Sequence, residues 1–353
     1  MPARYKRTMA KGKNIPSAYS SIKIIAAYKK VLQVLDGEIP QPEVIEIFLT
    51  NYCNFSCPHC RCKELHGDRN QRMEPGIFEK LLAELHQKGI ANIVLSGGGE
   101  PLAHPDIAAI FDLMLHCNVR AGVITNGYKL ADSDGLVEKI VRCSDWLSFS
   151  VDGFSDETYQ KVHGRSDISY GRLKKTITMM AELPKRPTIS IKMLVSALNV
   201  HEINLAIEES LEMKADYLQF KLLENHKLKL EDRDRYMGLF AEKIASIGDM
   251  PLSVSFSSGH DIDKKEKCLL NVLHPVVDWD GTIYLCCFFE HRKEKHSIGN
   301  IYNGGFFNHW VSKERKEKIE GIDGAFCAPT CPIMKYNDMV EFIRQNHNHF
   351  RYI

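Results

Sequence analysis

The sequence predicts an α/β fold: a partial, open (β/α)6 barrel followed by a small C-terminal domain with a β-hairpin and a helix. Six short apolar, β-branched runs recur at Val44–Thr50, Asn92–Ser96, Arg120–Thr125, Trp146–Val151, Thr188–Val195 and Tyr217–Lys221. Stretches of helical period lie between them, at Gly76–Lys88, Asp106–Cys117, Asp132–Arg142, Tyr170–Leu183 and Val200–Met213. Near Leu223 this alternation stops, and a cysteine-rich region follows.

Strand–helix alternation at this spacing calls for right-handed βαβ crossovers, hence a parallel sheet covered by helices. Six units are too few for a closed eight-unit barrel, so an open one fits, with catalytic groups at the C-terminal ends of its strands. In Asp106–Cys117 the apolar residues Ile107, Ile110, Phe111 and Leu115 share one face, as in a helix laid on a core. Residues 1–42 read as an N-terminal extension with one helix, Ile22–Leu35, and residues 43–225 as the barrel. Residues 226–353 form a second domain, opening with a charged helix at Leu230–Ile247 and an extended stretch at Leu252–Ser257.

Composition narrows the function. Lys and Arg number 46 against 45 Asp and Glu, so no global charge favours nucleic acid. The 44% hydrophobic and 26% charged shares are those of a globular protein able to bury a sizeable core. The basic start, Met1–Lys13, lacks the apolar core of a secretory signal, and no apolar run reaches the roughly eighteen residues of a membrane span. Eleven cysteines in such a chain point to thiolate ligands rather than disulfides, and so to the cytoplasm.

Cys53, Cys57 and Cys60 follow the first strand directly with the spacing C-x3-C-x2-C. Three thiolates on one loop can hold three irons of a 4Fe–4S cube and leave the fourth open to a small chelating molecule. A zinc site would need a fourth ligand, with His59 and Cys62 as the nearby choices. Strand two ends in Gly97-Gly98-Gly99-Glu100, where glycines let a ligand approach the backbone and a carboxylate stands at the strand end. Strand three ends in Thr125-Asn126-Gly127. Ser150 and Asp152 alternate on one face at the end of strand four, so both can point into the barrel mouth. Lys192 lies inside strand five, an unusual place in a covered sheet.

These motifs resemble the radical S-adenosylmethionine (SAM) superfamily. The resemblance spans about residues 43–225, and the cysteine spacing after strand one is its most specific mark. It implies a SAM-binding 4Fe–4S cluster on Cys53, Cys57 and Cys60, with His59 near the adenine, where the family usually has an aromatic residue. It also implies that the Gly98-Gly99-Glu100 backbone contacts the SAM amino group, while Thr125, Asn126, Ser150 and Asp152 bind the ribose or the carboxylate. Lys192 then pairs with the SAM carboxylate or reaches substrate; Asn199, just after that strand, reads as a cap of the following helix. Cys62 stays open between a bystander thiol and a hydrogen-atom donor, and Arg165, Lys221 and Glu224 are placed to meet substrate.

Cys268, Cys286, Cys327 and Cys331 make a second, four-thiolate set for a zinc ion or an auxiliary 4Fe–4S cluster. Val276–Leu285 reads as a hairpin with an Asp-Gly turn. Cys287 adjoins Cys286, and adjacent strand side chains face opposite ways, so one of the two serves; Cys286 is the one assigned. The layout, with Gly299-Asn300-Ile301 and Trp310, resembles the twitch form of the SPASM domain, which implies one auxiliary cluster. A fully ligated cluster suits uptake of an electron from a substrate radical. This layout resembles the aminocyclitol dehydrogenase of butirosin biosynthesis, which implies the two-electron dehydrogenation of a sugar or aminocyclitol as the reaction. A reducing partner such as flavodoxin or ferredoxin is implied. The rival readings are a redox-neutral epimerase, dehydratase or decarboxylase, and a peptide-modifying enzyme, against which the short segment 1–42 speaks. A zinc or iron–sulfur protein without catalysis would release no 5′-deoxyadenosine.

Overall fold

The computed structural model describes residues 8–11, 21–60, 62, 70–90, 92–223, 230–246, 250–257, 268, 273–287, 293–322 and 334–346. The six expected strands are present as β2 (Ile45–Phe48), β3 (Asn92–Ser96), β4 (Arg120–Thr125), β5 (Ser144–Ser150), β6 (Thr188–Val195) and β7 (Tyr217–Leu222). All pair in parallel in chain order. The expected helices are α2 (Pro75–Gln87), α3 (Ile107–His116), α4 (Asp134–Cys143), α6 (Tyr170–Ala181) and α7 (Ile203–Glu212), after a first helix α1 (Tyr28–Leu35) preceded by a 3-10 turn. This is the α/β, partial TIM-type barrel that the periodicity predicts.

Three additions enlarge the sheet. Ser253–Ser257, read from sequence only as extended, is β8, a further parallel strand in register with β7 (Tyr217 opposite Ser253), and it follows α8 (Leu230–Ser246). Thr8–Lys11, β1, runs antiparallel to β8 and covers that edge. At the other edge β9 (Val276–Val277) pairs in parallel with β2, and the expected hairpin leads through β10 (Thr282–Tyr284) to β11 (Ser297–Asn300). Among the described residues the order is therefore β1-β8-β7-β6-β5-β4-β3-β2-β9-β10-β11. Covered edges leave fewer unpaired backbone groups as templates for association.

Within the barrel region, one α-helix escaped the sequence reading. Asp156–His163, α5, is a short, mostly polar octet whose buried residues Thr158, Tyr159, Val162 and His163 share one face. Its termini carry the signal instead. Ser155 accepts a hydrogen bond from Thr158 N–H, Asp156 and Glu157 fill the first turn, and Gly164 closes the helix at φ +64°.

Strand side chains alternate between two environments. Ile45, Ile47, Leu95, Val123, Leu147, Phe149, Ile191, Met193 and Phe220 join the helix residues Phe78, Leu82, Phe111, Ile140 and Leu173 in one core. Each such side chain contributes roughly 1.5–3 kcal/mol by leaving water. The opposite, concave face is polar: Glu46, Ser96, Ser148, Ser190, Gln219 and Ser255 are buried there. Lys192 lies on this face, half-buried, which explains a lysine inside a covered strand. Among the described residues, no helix is long and apolar enough to cross a membrane.

Candidate active site

The cysteine loop leaves β2 and is held from three sides. Gly99 N–H donates to Thr50 O (3.1 Å) and Glu100 N–H to Tyr52 O (2.8 Å), tying it to the turn after β3. Asn126 Nδ2 donates to Asn54 Oδ1 at 2.8 Å from the end of β4. From beyond β5, Ser56 N–H donates to His163 O (3.0 Å) and Arg165 Nη1 to Asn54 O (2.6 Å). Two glycines permit the approach: a Cβ on Gly99 would lie 2.2 Å from Tyr52 O, and one on Gly164 2.4 Å from Ser56 O.

Glu100 is the hub of the next layer. It is buried, and its carboxylate accepts from Leu102 N–H (2.9 Å), Thr125 Oγ1 (2.5 Å) and Asn126 N–H (2.7 Å). Thr125 in turn accepts from Gly127 N–H at 2.8 Å. Burial pushes the Glu100 carboxyl up to about 7, against the lowering effect of these donors. Both oxygens thus serve to join the ends of β3 and β4. Gly98 is buried in the same turn.

Asp152, two residues past β5, has φ +56°, a left-handed conformation uncommon outside glycine, asparagine and aspartate. Its Oδ1 accepts from Leu194 N–H (2.6 Å), and its backbone oxygen accepts from Asn199 Nδ2 (2.7 Å). Asn199 therefore locks the β5 and β6 ends together as well as starting the next helical turn. The other Asp152 oxygen lies 3.6 Å from His59 Nε2, an ion-pair distance. Burial alone would pull His59 down, but the Asp152 carboxylate and the Cys60 thiol together hold it above the ordinary histidine range.

We expect Asp152→Asn, which tolerates the left-handed backbone and keeps the acceptor for Leu194, to unfold within about 1 kcal/mol of wild type. Asp152→Ala should lose on the order of 2–3 kcal/mol by combining backbone strain with an unmatched buried N–H. Thermal unfolding compares the two, and an NMR titration of His59 in the Asn variant should show its pKa lowered. Equal unfolding of Asn and Ala variants would refute this account.

His163, the last residue of α5, is the site residue that sequence reasoning missed. Its Nδ1 lies 3.2 Å from Cys57 Sγ and its Nε2 2.8 Å from Val151 O. Phe55 and Tyr159 wall its ring, with centroids at 4.7 and 4.6 Å. The only local hint was the pair of helix caps around α5.

Cys53 and Cys57 are half-buried and Cys60 is exposed, all three as thiols. Burial, followed by Asp152, Cys53 and Cys60, pushes the Cys57 thiol up. As thiolates the three would repel one another and Asp152. A cationic iron core reverses that sign, so the donor set fits a cluster. Among the described residues no three His, Cys, Asp or Glu side chains converge as ligands of one ion; a cube, whose thiolates sit on separate irons, does not require it.

Cys53, Cys57, Cys60, His59, Gly98, Gly99, Glu100, Thr125, Asn126 and Asp152 thus gather at one end of the sheet. Ser150 and Lys192 stand opposite each other on β5 and β6 just below. Cys62 is half-buried beyond the loop, and Lys221 is half-buried near the end of β7. Cys268 and Cys286 are half-buried, Cys286 just past β10. Cys327, Cys331 and Glu224 lie outside the described residues.

Two family models match the chain: the radical SAM superfamily over residues 47–209 and SPASM, an iron–sulfur cluster-binding domain, over 268–332. An S-adenosylmethionine-dependent nucleotide dehydratase of Selenomonas ruminantium is 26% identical over 186 residues, 51% of this chain and 64% of that protein. An AdoMet-dependent heme synthase of Methanosarcina barkeri is 29% identical over 176 residues, 49% of this chain and 48% of that protein. The chain thus spans between about half and two thirds of these relatives. Streptococcus suis SuiB bound to S-adenosylmethionine shares the fold, with TM-score 0.64 and 16% identity over 87% of this chain and 75% of that one. With the cysteine loop and its strand-end neighbours, these matches show that the chain carries a radical SAM domain, which takes a 4Fe–4S cluster and SAM, and an iron–sulfur SPASM domain, which takes an auxiliary cluster.

Proposed function

We propose that the chain is a radical SAM enzyme that abstracts hydrogen from a small polar substrate held on the concave face of the sheet. When bound, the SAM cluster supplies a 5′-deoxyadenosyl radical and the auxiliary cluster an electron acceptor. Cys53, Cys57 and Cys60 would hold the first cluster; Cys268, Cys286, Cys327 and Cys331 would hold the second. With SAM bound, the Gly98-Gly99 backbone would meet its ammonium and His59 would lie near the adenine. Glu100 keeps that turn in place, and Asp152 holds His59.

The observation that carries the substrate class is a row of polar side chains in register across four strands: Ser150, Lys192, Gln219 and Ser255. It lies on the face opposite the apolar core, with Lys221 and Ser257 paired just beyond. Hydroxyl, ammonium and amide groups can grip a substrate rich in hydroxyls or bearing an anionic group, and would be poorly matched by an apolar one. Dehydrogenation of such a substrate is our first reading. Redox-neutral dehydration is the second, favoured by the similarity to the nucleotide dehydratase.

The test is an iron count with electron paramagnetic resonance on anaerobically reconstituted protein, beside the Cys53/Cys57/Cys60→Ala variant, and an assay for 5′-deoxyadenosine. The expected result is about eight irons in wild type and about four in the variant, with 5′-deoxyadenosine from wild type alone. Iron unaffected by the triple substitution would refute the cysteine assignment. Sugars, aminocyclitols and nucleotides are then offered in turn: a product two hydrogens lighter supports dehydrogenation, and loss of water supports the second reading.

A further inference from the structure

The wall of the barrel built by β5 to β8 is rich in hydrogen-bond donors on its concave side. Strand alternation fixes which residues face that way. Ile191, Met193 and Val195 of β6 and Leu218, Phe220 and Leu222 of β7 lie in the apolar core, so Lys192 and Lys221 face the other side. By the same alternation Ser148 and Ser150 of β5, Ser190 of β6 and Ser253 and Ser255 of β8 share that side. No position of this face on these four strands holds Asp or Glu. Glu46, the buried carboxylate of the concave side, stands on β2 beyond β3 and β4, where Ser96 Oγ donates to it and His274 Nε2 lies 3.5 Å away.

The two lysines are neighbours. Lys192 is opposite Gln219, and Lys221 lies two residues further along β7, opposite Leu194. Such a diagonal pair on adjacent strands has its Cβ atoms roughly 7 Å apart. Both lysines are half-buried, and so is Ser150, which stands opposite Lys192 on β5. All three lie near the strand ends that carry the cysteine loop. Two ammonium groups, a hydroxyl and an amide thus face one region of the barrel mouth.

The chemistry of this group selects its ligand. An ammonium has three donors and no acceptor, and the serine hydroxyl and glutamine amide add donors beside it. A neutral sugar brings donors and acceptors in equal measure, and this wall has no carboxylate to receive its hydroxyl protons. A carboxylate has two oxygens in one plane. A phosphate has three terminal oxygens in a tetrahedral array and up to two negative charges, enough to meet both ammonium groups and a hydroxyl at once.

We propose that Lys192 and Lys221 bind a phosphate group of the substrate, with Ser150 and Gln219 donating beside them, so that the enzyme acts on a phosphorylated small molecule. This rests on the reading above that the concave face holds the substrate. The lysines act as specificity-determining residues, and Lys192 serves the substrate rather than the SAM carboxylate.

The test is isothermal titration calorimetry of full-length, anaerobically reconstituted protein with inorganic pyrophosphate, and separately with citrate as a phosphate-free anion. Pyrophosphate should bind at one site, and citrate much more weakly. Lys192→Gln and Lys221→Gln should each weaken pyrophosphate about tenfold or more. Lys139→Gln, whose side chain pairs with Asp112 on the outer surface, should leave it unchanged. Ser150→Asp keeps both lysines and sets a carboxylate opposite Lys192, so it too should weaken pyrophosphate, a readout that survives if a lysine variant fails to fold in thermal unfolding. Wild type that does not bind pyrophosphate, or binding that neither the lysine substitutions nor Ser150→Asp weaken, overturns the proposal. Citrate bound as tightly as pyrophosphate overturns the phosphate assignment. Weaker SAM binding in Lys192→Gln with pyrophosphate binding intact places Lys192 on SAM and overturns its role here. 5′-Deoxyadenosine from wild type that binds no pyrophosphate overturns this inference alone. Pyrophosphate held by both lysines in a protein that forms no 5′-deoxyadenosine overturns the enzyme reading and keeps the anion site.

Discussion

Gly99→Ala is expected to abolish SAM-cluster binding and to lower folding stability by on the order of 3 kcal/mol. The added methyl would meet backbone on every side: Tyr52 O at 2.2 Å, and Asn51 C and Thr50 O at 2.7 Å. No rotamer change relieves a clash with backbone, so the cysteine loop or the β3 turn must move. Either movement breaks Gly99 N–H to Thr50 O and Glu100 N–H to Tyr52 O, the bonds that seat the loop one residue before Cys53. Iron in the reconstituted variant should fall by about four per chain, leaving the auxiliary cluster. Gly76→Ala is the control, because nothing lies within 4 Å of a Cβ there. Iron equal to wild type in Gly99→Ala would show that the loop does not need this contact.

Glu100→Ala carries the second large effect. It would strand three buried donors, Leu102 N–H, Asn126 N–H and the Thr125 hydroxyl, at a cost on the order of 3 kcal/mol or more. The same group gives cluster-free protein a pH dependence of defined sign. Because burial raises its carboxyl from 4.5 to about 7 in the folded chain, the folded state holds the proton more tightly than the unfolded one. Its contribution is fully present below pH 4.5 and is lost as pH rises through about 7. Urea unfolding of wild type and Glu100→Gln at pH 5 and pH 8 isolates it. The wild type should lose up to about 3 kcal/mol more than the Gln variant across that interval. Parallel pH profiles would show that the three donors outweigh burial.

The site was legible where its chemistry is local. Cys53, Cys57 and Cys60 lie on one short loop, and the Gly98-Gly99-Glu100 and Thr125-Asn126 turns follow strands whose apolar runs announce them. The roles of those residues were less legible. Glu100 reads from sequence as a carboxylate offered to a ligand, yet both its oxygens are occupied by the β4 turn. Asn199 reads as a helix cap, yet its amide holds Asp152 and Leu194. His163 was invisible, because its contact with Cys57 joins residues 106 positions apart through a short, mostly polar helix.

By itself, then, the sequence determined the class of fold, the order of the barrel strands, the cysteine loop and the polar turns beside it. Each of these is a local pattern: period-two and period-3.6 hydrophobicity, glycine where backbone must approach backbone, and thiols spaced for one loop. Only the tertiary structure decided the partners. β1 and β8 pair across about 245 positions of chain, the β9 hairpin docks on β2, His163 meets Cys57, and Arg315 is buried against Trp310. Such contacts depend on which faces the packed core leaves opposite one another, a property of the whole assembled sheet that no local window of residues contains.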